Sequence, residues 1–241
     1  MLEKIKRLPI VSWIYKLPIF LKLYHISLAI LGALIYGLPS RNIKVIGITG
    51  TKGKSSVLEI INSILETAEK KTALLTSVRV KIGDKSKKNM TGNTMPGRMF
   101  IQRFLRRAIG ANCEYALIEA TSQGAVLYRH LFINWAIAGI TNLHPEHIES
   151  HGSFEKYRAA KLSFLHYAGM QSAPIFINGE DPNAGFFEKE LKENEVVVYN
   201  AEDLPDFSQN VYKILPGKFS RENIALAIAV CKRIGISEEK I

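Results

Sequence analysis

The segment KVIGITGTKGKSS contains residue types that can hold the phosphate groups of a nucleotide. Gly50 and Gly53 let the backbone turn its amides toward phosphate oxygens, Lys54 can reach the outer phosphates, and the Ser55 hydroxyl is placed for Mg²⁺. The strict phosphate-loop pattern has four residues between its glycines, whereas five residues separate Gly47 from Gly53. An apolar strand before the loop and an amphipathic helix after it still predict phosphate binding.

Two later apolar runs end in side chains that suit a metal–phosphate site. The run YALIEA delivers Glu119, and the run WAIAGIT leads into a polar segment that contains Asn142, His144, Glu146, His147, Glu149 and His151. Ligands gather at the carboxyl ends of the strands in an open parallel sheet, so a glutamate with a nearby histidine indicates a Mg²⁺ shell. A solvated polar loop is the alternative. Zinc is disfavoured because the spacing matches no zinc motif and no cysteine is near.

Lys161 lies on the apolar face of a helix predicted to begin at Ser153. The apolar residues of that face are Phe154, Tyr157, Phe164, Leu165 and Ala168. A snorkelling side chain would explain the lysine simply. A partly desolvated lysine instead has a lowered pKa and can act as a nucleophile, as a base or as a modified anion. The spacing leaves both interpretations open.

The pattern from residue 42 onward predicts an α/β fold in which a mostly parallel sheet carries the phosphate loop and is flanked by helices. The predicted strands are 44–49, 73–80, 115–120, 135–141, 174–178 and 196–199. The predicted helices are 54–68, 99–109, 154–168, 184–192 and 220–234. Residues 42–241 are therefore assigned to one ATP-binding domain, and residues 1–41 to a short amphipathic helical segment before it.

Basic residues precede a mostly apolar run at 26–38, in the manner of a signal peptide. That interpretation is rejected because prolines and lysines interrupt the segment, no small-residue cleavage site follows and the run is too short to span a bilayer. A packed helix is favoured. An interfacial anchor that contacts a membrane surface through residues 8–38 is the alternative.

Composition excludes several classes of protein. The 241 residues include 32 Lys and Arg against 22 Asp and Glu, a formal charge of +10 that suits polyanionic partners. No stacking motif of aromatic and basic residues supports nucleic-acid binding. The two cysteines, Cys113 and Cys231, indicate no disulfide framework, so we expect a cytoplasmic protein.

Together these motifs resemble the Mur ligase family, and most closely its UDP-N-acetylmuramoyl-tripeptide synthetases. The loop GITGTKGKSS is similar to the family's ATP loop, including the five-residue gap. The block EATSQGAVLYR is similar to its EVSSHG segment, and TNLHPEHIESHGSFEKYRAAK to its TNL, DH, HG and YxxAK run. The resemblance runs from about residue 44 to residue 234. It implies ATP and two Mg²⁺ ions as cofactors.

The resemblance also implies a role for individual residues. The ATP-binding residues would be Gly50, Thr51, Lys52, Gly53, Lys54, Ser55, Ser56, Asn178, Asp181 and Asn223. Ser55 and Glu119 would hold one Mg²⁺, while His147 and a carbamylated Lys161 would support a second. Lys54, Lys161 and His147 would form the catalytic set. The residues that contact the muramoyl-peptide substrate would be Asn93, Thr94, Ser122 and Arg129.

The implied activity is ATP-dependent joining of an amino acid to a muramoyl-peptide-like carboxylate through an acyl phosphate, in peptidoglycan precursor synthesis. Three departures concern the substrate contacts: Gln123 stands where the family usually has histidine, Glu146 replaces an aspartate, and TMPGR replaces a pair of threonines. The family's UDP-binding and carboxyl-terminal ligase domains have no counterpart in these 241 residues, so we expect a fragment. The alternatives are a folylpolyglutamate synthase-like ligase and a non-catalytic ATP-binding module that needs a partner chain.

Overall fold

The structure is a computed structural model that describes residues 18–146, 148–204 and 218–241. The strands of this part of the chain are β1 (Lys44–Thr49), β2 (Thr72–Leu75), β3 (Arg79–Ile82), β4 (Lys85–Lys88), β5 (Tyr115–Glu119), β6 (Trp135–Ile140), β7 (Ile175–Asn178) and β8 (Val196–Tyr199). They form one sheet in the order β4-β3-β2-β5-β1-β6-β7-β8. All neighbouring pairs from β2 to β8 in that order are parallel, whereas β3 and β4 add an antiparallel edge.

Helices cover both faces of the sheet. The helices of the described residues are α1 (Pro18–Ile35), α2 (Lys54–Thr67), α3 (Arg98–Gly110), α4 (Ser122–Val126), α5 (Ile148–His151), α6 (Phe154–Gly169), α7 (Ala184–Glu190) and α8 (Lys218–Arg233). Helices α2 and α8 pack on one face, and α3, α6 and α7 on the other. The prediction of a mostly parallel sheet flanked by helices is confirmed.

The central strands are buried on both faces, which explains their continuous apolar sequences. In β1, every residue after Lys44 is buried. Gly47 allows the helix layer to approach this strand closely, because a Cβ at that position would lie 2.6 Å from the Trp135 ring and 2.7 Å from the Phe164 ring. The strand that enters the phosphate loop is thus fixed by packing on both sides.

The prediction of a single strand over residues 73–80 is wrong. The chain turns between β2 and β3, which pair in antiparallel fashion. Thr76 stabilises the turn, because its amide donates to the Arg79 carbonyl at 3.0 Å and its hydroxyl accepts from the amides of Val78 and Arg79. The sequence ALLTSVRV has strand-forming residues on both sides of Thr76, so it gave no clear signal of this side-chain-capped turn.

Within the helical segment predicted for residues 1–41, residues 18–35 form α1, and residues 1–17 lie outside the described residues. Its small residues Ala29, Gly32 and Ala33 are buried, and Gly32 lies against Met99 of α3. Seven of its larger apolar side chains face outward and are 39–62% exposed, namely Phe20, Leu23, Tyr24, Ile30, Leu31, Leu34 and Ile35. No helix in the described ranges is long and apolar enough to cross a membrane. The domain boundary at residue 41 stays a prediction.

Candidate functional site

The glycine-rich loop joins the carboxyl end of β1 to the first turn of α2, so the free amides at the start of the helix face the loop. Two glycines are required by geometry. Gly50 has φ +140°, and a Cβ there would lie 1.9 Å from Thr141 Oγ1. Gly53 has φ +84°, and a Cβ there would lie 2.3 Å from Asn223 Oδ1. The loop backbone is therefore held in a form that suits an anion at a helix N-terminus.

Lys54 folds back over the loop. Its Nζ donates to the carbonyl oxygens of Gly50 at 3.0 Å and Thr51 at 2.8 Å, and it lies 3.8 Å from Glu119 Oε1. Burial lowers the pKa of Lys54, while the nearby carboxylates of Glu119 and Glu146 oppose that shift. The ammonium group is thus close to the surface that a terminal phosphate would occupy.

Glu119 ends β5 beside the phosphate loop. Its Oε2 accepts hydrogen bonds from Ser55 Oγ at 2.6 Å and from the Ser77 amide at 2.9 Å, and the two serine hydroxyls are 2.9 Å apart. One carboxylate and two hydroxyls are hard oxygen donors, which fit Mg²⁺ beside phosphate oxygens. Sequence reasoning missed Ser77, because the strand predicted over residues 73–80 placed it inside a strand rather than after the end of β2.

Lys161 is 2% exposed on α6, which begins at the Ser153 cap. Its Nζ donates to the Gly50 carbonyl at 2.7 Å and lies 4.5 Å from the Tyr157 ring centroid. Burial, and then the nearby Lys54 cation, hold the pKa of Lys161 well below its usual value. The side chain is buried beneath the phosphate loop, so the snorkelling explanation is wrong.

Neighbouring strand ends fix the loop from the other side. Thr51 Oγ1 lies 3.0 Å from the Tyr157 hydroxyl and accepts from the His144 amide at 2.9 Å. Asn142 forms two hydrogen bonds with the Lys52 backbone, at 3.0 and 3.2 Å. The start of the polar segment after β6 therefore packs against the loop, whereas Glu149, later in the same segment, is exposed as the solvated alternative predicted.

A cavity of about 330 Å³ extends from the loop toward α3 and α4. The residues of its wall that the sequence singles out are Gly50, Thr51, Lys54, Asn93, Thr94, Glu119, Ser122, Arg129 and Lys161. His151, which also lines the cavity, lies 3.1 Å from the Ser122 hydroxyl through its Nε2. Lys54, Glu119 and Lys161 therefore share one cavity with the expected substrate contacts, whereas Gly53 and Ser55 do not line it. The roles of all these residues stay predictions.

The remaining expected ATP contacts lie on the far side of the loop or at its edge. Asn178 Nδ2 donates to Glu222 Oε2 at 3.1 Å, and Asp181 Oδ2 accepts from the Leu143 amide at 2.7 Å. Asn223 lies against Gly53. Ser56 and Lys52, also expected ATP contacts, do not line the cavity, and Lys52 pairs with Glu146 at 3.1 Å.

His147 falls outside the described residues, so its expected metal role stays a prediction. Within the described ranges no three His, Cys, Asp or Glu side chains form a cluster suited to a metal ion. The oxygen set at Ser55, Ser77 and Glu119 is different in kind, because phosphate oxygens would complete its coordination.

This sheet is mostly parallel, and the glycine-rich loop after β1 carries a lysine beside the carboxylate that ends the neighbouring strand β5. These features define a phosphate-loop nucleotide-binding domain. The family described as the Mur ligase middle domain matches residues 48–213. The chain belongs to the Mur ligase family.

A curated relative agrees with that membership. The UDP-N-acetylmuramoyl-L-alanyl-D-glutamate–2,6-diaminopimelate ligase of Geobacillus kaustophilus is 30% identical over 89% of this chain and 49% of its own length. The chain thus spans about half the length of the curated relatives it matches.

Solved structures share the fold. A ligase of the same name is similar with a TM-score of 0.69 and 21% identity, over 82% of this chain and 45% of that one. A bifunctional folylpolyglutamate synthase/dihydrofolate synthase has a TM-score of 0.61 and 16% identity, over 89% of this chain and 60% of that one.

Proposed function

We propose that this chain is the ATP-binding core of a cytoplasmic ligase that joins an amino acid to a carboxylate. The γ-phosphoryl group of ATP passes to the acceptor carboxylate to give an acyl phosphate. The amine of the amino acid then attacks the acyl carbon, and phosphate leaves beside ADP. The observation that supports this most directly is the single cavity in which Lys54 and Glu119 face the side chains expected to hold the acceptor.

The protein's part in such a reaction is positioning and charge compensation. The α2 amides and Lys54 hold the phosphates, and Arg129, Asn93 and Ser122 in the same wall orient the acceptor. The residues Ser55 and Glu119 would hold one Mg²⁺, which neutralises phosphate charge when bound.

A second Mg²⁺ would need His147 and a modified Lys161. Burial favours the neutral amine of Lys161, and only a neutral amine attacks carbon dioxide. The new N–C bond, with loss of one proton, gives a carbamate whose oxygens are suitable metal ligands. Because Lys161 Nζ lies 2.7 Å from the Gly50 carbonyl, there is little room beside it for a carbamate. Carbamate formation would therefore require a local shift of the loop.

The acceptor we propose is a muramoyl-peptide-like molecule, because the relative from Geobacillus kaustophilus is named for such a substrate. A folate acceptor is the alternative, and a third possibility is an ATP-binding module that needs a partner chain for turnover. The test is ADP release by the chain with Mg²⁺, ATP, amino acids and either muramoyl-peptide or folate acceptors, alongside direct ATP binding.

Turnover with a muramoyl acceptor supports the proposal, and turnover with folate only favours the alternative. ATP binding without turnover favours the partner-dependent module. Lys54→Ala should abolish ATP binding, whereas Lys85→Ala, which removes an exposed lysine on β4, should not. Retained nucleotide affinity in Lys54→Ala would refute the phosphate-loop assignment.

We also propose that residues 8–38 bring the chain to an anionic membrane surface, because the outward side of α1 is a stripe of large apolar side chains. The only charged side chain of α1 is the exposed Lys22, and the exposed cations Arg41 and Arg106 lie on the neighbouring turn and helix. Apolar insertion beside cations suits a bilayer that contains acidic lipids.

Vesicle sedimentation tests this contact. Leu34→Asp should reduce binding to phosphatidylcholine vesicles that contain phosphatidylglycerol, whereas Met170→Asp, at a 78% exposed methionine after α6, should not. Equal binding by both variants and the unaltered chain, or no binding by any of them, would contradict the proposal.

A further inference from the structure

Arg98 and Arg129 join the segment that leads into α3 to the segment that follows α4, beside the cavity. The Arg98 guanidinium, at the start of α3, donates to the carbonyl of Leu127, just after α4. In return the Arg129 guanidinium donates to the carbonyl of Met95, just before α3. Both side chains are therefore directed into the same junction, and Arg129 lines the cavity.

This junction is rich in positive charge. In the described part of the chain, neither arginine forms an ion pair with a carboxylate. Burial, and then the neighbouring Arg129 cation, lower the pKa of Arg98, with the Tyr24 hydroxyl of α1 opposing the shift. Burial also lowers the pKa of Arg129. Two partly buried guanidinium groups side by side are costly unless an anion joins them.

Three nitrogen atoms at the junction are buried without a hydrogen-bond partner among the described residues. They are Arg98 Nε, Arg129 Nε and His25 Nδ1. The pKa of His25 is lowered by burial first and then by Arg98 and Arg129, so α1 carries this imidazole close to both cations. Buried donors normally have acceptors, and a ligand oxygen is one way to supply them.

We propose that Arg98 and Arg129, with His25 of α1 beside them, form a binding site for an oxyanion, either a carboxylate or a phosphate group. Planar guanidinium groups suit both, since each presents two parallel N–H donors. An oxyanion there would accept from the two Nε–H groups that lack partners.

The identity of the ligand at this site rests on the proposed function. The reacting carboxylate of the acceptor must lie near Lys54, whereas Arg129 belongs to the part of the wall formed with Asn93, Thr94 and Met95. The oxyanion at the arginine pair would therefore be a second anionic group of the same acceptor. Helix α1 would take part in acceptor binding through His25, a role that the sequence did not indicate.

The site can be tested without turnover by NMR of the arginine Nε–Hε groups in ¹⁵N-labelled chain. ADP and Mg²⁺ are kept saturating, so that the phosphate loop is occupied. Inorganic phosphate is then titrated in one series and glutarate, a dicarboxylate, in another. We expect saturable shifts of the Arg98 and Arg129 signals, and the series with the lower dissociation constant identifies the preferred oxyanion.

Variants assign the shifts to the site. Arg98→Gln should weaken binding at least tenfold, as read from the Arg129 signal, and Arg98→Lys should weaken it less because it keeps the charge. Arg106→Gln removes an exposed cation from the same helix and should leave the titration unchanged. ADP binding by each variant shows that the fold is retained.

Absence of saturable shifts in both series, or an Arg98→Gln titration equal to that of the unaltered chain, would overturn the proposal. These outcomes can be distinguished from a failure of the proposed function, which is read from ADP binding. Failure to bind ADP would count against nucleotide binding, and the oxyanion titration would then be read in the absence of ADP.

Discussion

Replacing Lys161 with methionine should give the folded chain an advantage in stability that is absent at about pH 10 and grows as the pH falls. The two side chains have similar volume, and Lys161 is 2% exposed, so little packing is lost. The substitution removes the hydrogen bond to the Gly50 carbonyl, which lowers stability by about 1 kcal/mol at every pH. It also removes a buried ionisable group, and that contribution changes with pH.

The sign follows from the lowered pKa of Lys161 in the folded chain. Between that pKa and about 10.4, the ordinary value for lysine, the unfolded state carries a proton that the folded state lacks. The lysine chain therefore loses about 1.4 kcal/mol of stability for each pH unit that the solution falls within this window. The methionine variant does not lose this stability, so its advantage grows as the pH falls and levels off below the folded-state pKa.

The assay is urea unfolding at pH values from about 10 downward, in buffers free of carbon dioxide so that no carbamate forms. The matched control is Lys156→Met, which replaces an exposed lysine on the same helix. Its unfolding free energy should follow that of the unaltered chain at each pH. A Lys161→Met advantage that stays constant over the whole range would refute the reasoning, because it would mean that Lys161 is protonated in the folded state.

Three further substitutions test the site. Glu119→Gln should lower the Mg²⁺-dependent part of ATP affinity at least tenfold, measured by calorimetry with and without Mg²⁺, and an unchanged Mg²⁺ dependence would count against the metal assignment. Gly53→Ala should cost about 1–2 kcal/mol of strain from its positive φ, plus a clash with Asn223. Adding Asn223→Ala should recover only the clash part in urea unfolding, and equal losses in both backgrounds would disprove the contact. Tyr157→Phe should lower stability by about 1 kcal/mol through loss of the contact with Thr51, and unaltered unfolding would contradict this.

The main strands could be predicted from the sequence because each central strand is a continuous apolar run. The glycines of the phosphate loop could also be predicted, because the geometry of the loop requires them. Gly50 and Gly53 both have positive φ and a side chain within clashing distance of a Cβ. The unusual position of Lys161 could be predicted as well, since helical periodicity placed this lysine on the apolar face that packs toward the sheet.

Other features depended on tertiary contacts that leave little trace in the sequence. Thr76 ends β2 through hydrogen bonds that a β-branched residue inside an apolar run does not signal. Ser77 reaches Glu119 only because β2 and β5 are neighbours in the sheet. The junction of Arg98 and Arg129 depends on how α3 meets α4, and each arginine alone resembles any other surface cation.

Helix α1 reverses the usual relation between side-chain size and burial. Its close contact with α3 is formed by alanine and glycine, and a Cβ on Gly32 would meet Met99 Sδ at 3.0 Å. The outward positions carry leucine, isoleucine and phenylalanine. A hydropathy plot would therefore assign the wrong face of this helix to the interior. In a mutational scan, folding should be most sensitive at the smallest side chains of α1 and nearly indifferent to its largest.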